Sequence, residues 1–217
     1  MHVFDTIVAK THLLNHPFYQ RWMAGTLTRR ELQEYAKNYF AHVEAFPRYV
    51  SAVHANCDDA TTRQALLENL IEEERGSENH PELWLRFGET LGVDRSDARA
   101  HSPLPEAAAL VDTFKNLTKK SFASGLGALY AYESQVPAIA QQKIDGLRNH
   151  YGVEDARGVK FFEVHREADV WHSKVERDAY DQLNTPEKQE AEEACETAAK
   201  ALWDFLSGLD RAHLAAA

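Results

Sequence analysis

Hydrophobic positions recur along this chain with a period near 3.6 residues, and convincing period-two runs are absent, so the pattern predicts an all-helical protein. A first helix is expected to open near Asn15, His16 and Pro17, because proline suits the first helical position. Thr28-Arg29-Arg30-Glu31 reads as a capping box. It begins a long helix with Tyr35, Tyr39, His42, Phe46, Tyr49 and Val53 on one face. A third helix carries Leu66, Leu70 and Glu73 and weakens around Gly76 and Ser77; His80-Pro81 then starts a short one. Further helices are expected from Pro103 to about Leu117 and from Ser121 to about His150, the latter kinked at Pro137. Another starts near Asp155 and passes Ala179, and a last one opens at Thr185-Pro186 and ends near Gly208. The tail Ala215–Ala217 is expected to fray. No internal repeat or low-complexity linker interrupts the pattern, and 217 residues suit one domain spanning 1–217.

One of these stripes is broken by polar residues. His165, Asp169 and His172 form an H-x₃-D-x₂-H run, and at about 100° per residue they fall within roughly 60° of one another. Phe161, Ala168, Val175 and Ala179 share that face. An unpaired polar group in such a stripe costs about 1–3 kcal/mol and an unpaired charge more. A metal ion is the simplest compensation, since neutral imidazole and carboxylate are ligands for divalent first-row metals.

Other misplaced polar residues extend the set. Glu133 lies amid Leu126, Leu129, Tyr130, Val136, Pro137, Ala140 and Ile144, where the alternative is a buried acid paired with arginine or tyrosine. In the run Glu72-Glu73-Glu74 only Glu73 continues the Leu66–Leu70 stripe, and two turns further on the stripe reaches His80. Taken alone, Glu73 also reads as surface and His80 as a cap or core histidine. Together the six candidates supply neutral imidazoles and carboxylates from facing helices, the way two-metal sites in helical bundles are built. Without a thiolate, iron or manganese suits them better than zinc.

Composition narrows the function classes. The formal charge of −10 argues against nucleic-acid and anionic-membrane roles, which need a basic patch. No signal-peptide pattern and no apolar run long enough to span a bilayer is present. Cys57 and Cys195 form neither a disulfide framework nor a metal-type spacing, so a cytoplasmic location is expected.

Glu73-x₆-His80, the central Glu133 and His165-x₃-Asp169-x₂-His172 resemble the haem-oxygenase-like dimetal oxidases. The likeness is greatest to the para-aminobenzoate synthases typified by the chlamydial protein associating with death domains (CADD). It runs from His16-Pro17-Phe18-Tyr19 through Leu129–Glu133 to Trp171-His172. The resemblance implies a bundle of seven to eight helices, shared with PqqC and TenA proteins, and a dinuclear Fe/Fe or Fe/Mn site. It also implies dioxygen and an external reductant as co-substrates, and formation of the folate precursor para-aminobenzoate from the enzyme's own side chains. By the same likeness Tyr19 is the consumed ring source, Lys143 the amine donor and Tyr35 an electron or radical relay. Phe161 stands where the family has a further tyrosine, so a relay needing a phenol there is not shared.

Read without the likeness, Tyr19 is a core aromatic beside Phe18 and Trp22, and Lys143 is a solvated cation. On one unbroken helix Lys143 would lie about 15 Å from Glu133. Three rival functions remain: a cofactorless PqqC- or TenA-type enzyme on a free small molecule, the latter needing a nucleophilic cysteine; a conventional dimetal oxidase; and a helical interaction module with a structural metal. Nothing in the sequence supports death-domain binding, whereas a homodimer is compatible with it.

Overall fold

The 3.6-residue stripes fold as helices throughout the computed structural model, which describes residues 2–215 apart from the Glu167 side chain. Among the described residues there are eleven α-helices and no strand. They are α1 (Val3–Lys10), α2 (Pro17–Met23), α3 (Arg29–Ala55), α4 (Ala60–Glu74), α5 (His80–Thr90), α6 (Arg95–Ala100), α7 (Pro105–Lys120), α8 (Phe122–Glu133), α9 (Val136–His150), α10 (Ala156–Gln182) and α11 (Thr185–Ala215). None is long and apolar enough to cross a membrane.

Local chemistry sets the starts that position the site. The His16 ring accepts from the Phe18 amide at 3.0 Å, and Pro17 occupies the first turn of α2. Thr28 and Glu31 close the capping box of α3 reciprocally, at 3.2 Å and 2.8 Å. The α3 face read from the sequence is buried along its length, from Tyr35 to Val53.

The helix count exceeds seven to eight for three reasons. Residues 121–150 do not form one kinked helix but break at Ser134 and Gln135, because Pro137 has no amide to bond the Glu133 carbonyl. Short α1 and α6 were not foreseen. Eight residues are too few to show a stripe, and α1 is held by tertiary contacts: Phe4 lies 4.7 Å from the Tyr130 ring and 4.6 Å from that of Tyr180. The last helix runs past Gly208, which is a packing glycine rather than a stop; a Cβ there would meet the Glu106 side chain at 2.8 Å. Ala215 is helical, whereas Ala216 and Ala217 of the expected frayed tail lie outside the described residues.

The centre of the bundle is α8, in which every residue from Ala123 to Glu133 is buried. Such a helix is apolar all round and carries little periodic signal. Its packing on α11 depends on Gly127, where a Cβ would stand 2.0 Å from the Ala191 carbonyl oxygen. Backbone cannot yield as a flexible side chain can. Gly127→Ala is therefore expected to destabilise the protein by about 1–3 kcal/mol or more. A lowered urea midpoint at unchanged slope would show it, and an unshifted midpoint would mean that α8 and α11 can separate freely.

Candidate metal centre

Four helices bring the six sequence candidates together. Glu73 stands near the end of α4, His80 at the first position of α5, Glu133 at the end of α8, and His165, Asp169 and His172 along α10. Between Glu73 and His80 the chain turns at Gly76, whose φ of +83° is left-handed and suits glycine. Asn79, not His80, caps α5 by accepting from the Glu82 amide at 3.0 Å. This leaves the His80 ring free to face the core. All six residues are at most 5 % exposed.

The ligand atoms fall into two clusters. Those of Glu73, His80 and His165 lie within 4.8 Å of one another, as do those of Glu133, Asp169 and His172. His80 Nδ1 is 2.8 Å from Glu73 Oε1, and the His80 and His165 rings are 4.2 Å apart. The Phe161 carbonyl, 2.7 Å from His165 Nδ1, accepts a hydrogen bond from the protonated Nδ1 and leaves Nε2 as the free lone pair for the cluster. In the second cluster His172 Nδ1 is 3.1 Å from Asp169 Oδ1, and Asn69 donates to Glu133 Oε1 at 2.9 Å.

The electrostatics of this site call for cations. Glu133 Oε2 and Asp169 Oδ2 are buried with no hydrogen-bond partner among the described residues. Burial, reinforced by Glu133 and Glu73, pushes the Asp169 carboxyl up to about 7 against the opposing pull of His172. His165 is driven well below the usual imidazole range by burial and then by His80. His172, despite its burial, is raised to about 9 by Asp169 and Glu133. Crowded buried carboxylates that draw protons onto His172, His80 and Asp169 when no ion is bound, beside the His165 imidazole held neutral, are the donor set that divalent ions complete. The residues fit two such ions.

Glu176 is a functional candidate that the sequence reading missed. It is 2 % exposed, and burial followed by the adjoining Glu133 carboxylate raises its carboxyl well above the usual range, so that without an ion it holds a proton toward Glu133. Its position four residues after His172, about 20° from His165 on the helical wheel, is the signal that could have found it. As an anion it would bring the buried carboxylates to four, matching the charge of two divalent ions.

A cluster of phenols and one amine adjoins the ligands. Tyr19, on α2, is 3 % exposed with its Oη 3.5 Å from Tyr35 Oη. Lys143 is not a solvated cation: it is 5 % exposed and its Nζ donates to Tyr35 Oη at 2.5 Å. That nitrogen lies 5.5 Å from the centre of the Tyr19 ring and 5.0 Å from those of Tyr35 and Phe162. The chain breaks between α8 and α9, so Glu133 and Lys143 do not lie on one continuous helix. Burial lowers the Lys143 ammonium to about 7. A cavity of about 20 Å³ is lined by Tyr19, Tyr39, Tyr132, Lys143, Phe161 and His165, so it touches both the phenols and a candidate ligand. Phe161 packs its ring 4.1 Å from that of His165 and offers no hydroxyl, but Tyr39 and Tyr132 supply phenols at the same cavity. The two cysteines are buried with thiols pushed up by desolvation, the opposite of what a nucleophilic thiolate needs.

Comparison with known proteins agrees with this chemistry. A family described as "Iron-containing redox enzyme" matches residues 33–204. The chain is 42 % identical to a 4-aminobenzoate synthase of Chlamydia muridarum, over 93 % of this chain and 86 % of that protein. It is 44 % identical to a 4-aminobenzoate synthase of Nitrosomonas europaea, over 97 % and 91 %. Among solved structures, a TenA homolog from Pseudomonas syringae pv. tomato superposes with a TM-score of 0.81 at 16 % identity, covering 96 % of this chain and 91 % of that one. At that identity the likeness is one of fold.

Proposed function

Because the chain belongs to the iron-containing redox enzymes and, within them, to the 4-aminobenzoate synthases, we propose that it forms 4-aminobenzoate by an oxygen-dependent oxidation that consumes its own Tyr19. The observation that carries this reading is the size and lining of the cavity at His165. About 20 Å³ has room for roughly one water. A free aromatic substrate does not fit there, whereas the Tyr19 ring already forms part of the wall. That ring and its Cβ together contain all the carbons of 4-aminobenzoate, so Cβ becomes the carboxyl carbon and nitrogen replaces the para oxygen.

Glu73, His80 and His165 would hold one ion and Glu133, Asp169 and His172 the other, with iron in both places or iron paired with manganese. Such ions, when bound and reduced by an external donor, supply the electrons that activate dioxygen. The protein does the rest. Burial keeps water from the Tyr19 side chain and holds its phenol protonated. Tyr35 Oη stands between Tyr19 Oη and Lys143 Nζ, placed to pass a proton and an electron from one to the other. Lys143 is the nitrogen donor, its desolvated amine facing the ring that must receive it: Nζ bonds the para carbon as the phenol oxygen leaves as water, and a two-electron oxidation at the expense of dioxygen then cleaves Cε–Nζ, leaving an aldehyde carbon at Cε. Two buried, unpaired cysteines suit a reducing cytoplasm.

A test follows from the Lys143 environment. Only the neutral amine is nucleophilic, and with an ammonium near 7 its fraction rises about tenfold from one unit below that value to one above it. Iron-loaded protein given dioxygen and reductant should therefore release 4-aminobenzoate faster as pH rises, with a midpoint near 7. Lys143→Arg, which stays charged, should release none. A flat profile together with full activity of the arginine variant would remove Lys143 from the reaction.

A further inference from the structure

The oxidase reading requires electrons from outside, yet all six candidate ligands are at most 5 % exposed. Donor and site must meet through protein. One residue bridges the two environments. Trp171 is 45 % exposed, precedes the candidate ligand His172 in the chain, and its ring lies 5.4 Å from the His172 ring. On its inner side it lines a small pocket with Asn69, Glu133, His172 and Glu176. On its outer side it lines an open groove of about 900 Å³ between α4 and α10.

The groove has a definite chemistry. Leu67 (41 % exposed), Val175 and Trp171 make it apolar, and Val170 (61 % exposed) adjoins it. Asp59, Glu68 and Asp178 make it acidic, and among the described residues no lysine or arginine lines it; Lys174 pairs with Asp178 beside it at 2.5 Å. A symmetric contact between two copies through this surface would set carboxylate against carboxylate. A partner with the opposite charge is favoured.

We propose that the α4–α10 groove docks the electron donor, a redox protein with an apolar patch ringed by lysine or arginine, and that Trp171 is where its electrons enter. Each encounter moves one electron. The donor's redox group is oxidised by one equivalent, the buried centre is reduced by one, and no bond of Trp171 is made or broken. This inference rests on the oxidase reading, and the experiment separates the two.

Protein loaded anaerobically with ferric iron, so that Tyr19 is still intact, would be reduced in a stopped-flow instrument by two probes. One is a reduced low-potential cytochrome with a lysine-rimmed haem edge, and the other is dithionite, a small anion. Reduction of the wild type by the cytochrome should slow as salt is raised. Glu68→Lys combined with Asp178→Lys should slow it at least about tenfold. Trp171→Leu should lower its limiting rate at saturating cytochrome. Dithionite should reduce every variant within about twofold of the wild type, since it needs no docking. The proposal is overturned if the cytochrome fails to reduce the wild type, if both probes respond alike to the substitutions, or if the variants change only the sedimenting mass, which would make the groove a contact between copies. Dithionite-reduced protein exposed to dioxygen reports separately on the reaction: no 4-aminobenzoate from the wild type would sink the oxidase reading, whereas equal yields from all variants leave it intact.

Discussion

Replacing Tyr19 by phenylalanine is expected to abolish release of 4-aminobenzoate while metal content and helical structure stay at wild-type levels. The substitution removes one oxygen, which lies 3.5 Å from the Tyr35 hydroxyl, and leaves the ring in contact with Phe18 and Trp22. No candidate ligand is touched. Phenylalanine has no para oxygen to exchange for nitrogen, so the loss should be complete rather than partial. Wild-type protein carrying ring-labelled tyrosine should pass the label to product in at most one equivalent per chain. The peptide from Phe18 to Trp22 should lose the mass of a hydroxybenzyl group, leaving glycine in place of Tyr19. Many turnovers with Tyr19 intact in the mass spectrum would instead mark a conventional oxidase acting on a free molecule.

The second large effect concerns the metal ions. Glu133→Ala should weaken the ion held with Asp169 and His172 by at least about 100-fold, the upper end of what even outer-shell changes cost. An ion at the Glu73, His80 and His165 cluster should be less affected, so bound metal should fall from the proposed two toward one per chain. Helical content should survive, because an alanine suits the apolar end of α8 better than an acid does. In the same protein the metal-centred absorbance change on exposure to dioxygen should vanish, as it should in His165→Ala and Asp169→Ala. Elemental analysis and circular dichroism decide it: two ions in a folded Glu133→Ala protein would make Glu133 an ordinary buried acid.

Much of this site could be read from the chain because its chemistry violates a local rule. Histidine and carboxylate at positions of an apolar stripe stand out on any helix, and the α10 run contains three within about two turns. Glu176 obeys the same logic but lies one turn beyond the H-x₃-D-x₂-H run that ends at His172. Lys143 was harder. Its burial comes from aromatic rings on α2, α3 and α10, none of which its neighbours in sequence report. Pro137 signalled a disturbance, but not whether the helix would bend or end. The short helices α1 and α6 escaped for a related reason, since fewer than three turns carry too little periodicity to read.

The burial of Tyr19 also bears on what happens to the protein afterwards. Stripping a ring from a position 3 % exposed leaves a void that, by analogy with Phe→Ala changes, costs about 3–5 kcal/mol. The glycine left within the seven-residue α2 adds about 1 kcal/mol more. Set against the roughly 5–15 kcal/mol that holds a typical domain together, that loss moves the spent chain toward the unfolding threshold. Molecules that have reacted would then be the ones most open to cellular proteases, while unreacted copies stay protected. Degradation would return the remaining amino acids to synthesis, so the cell's outlay for each product molecule is set by the resynthesis of one polypeptide and not by the loss of its entire contents.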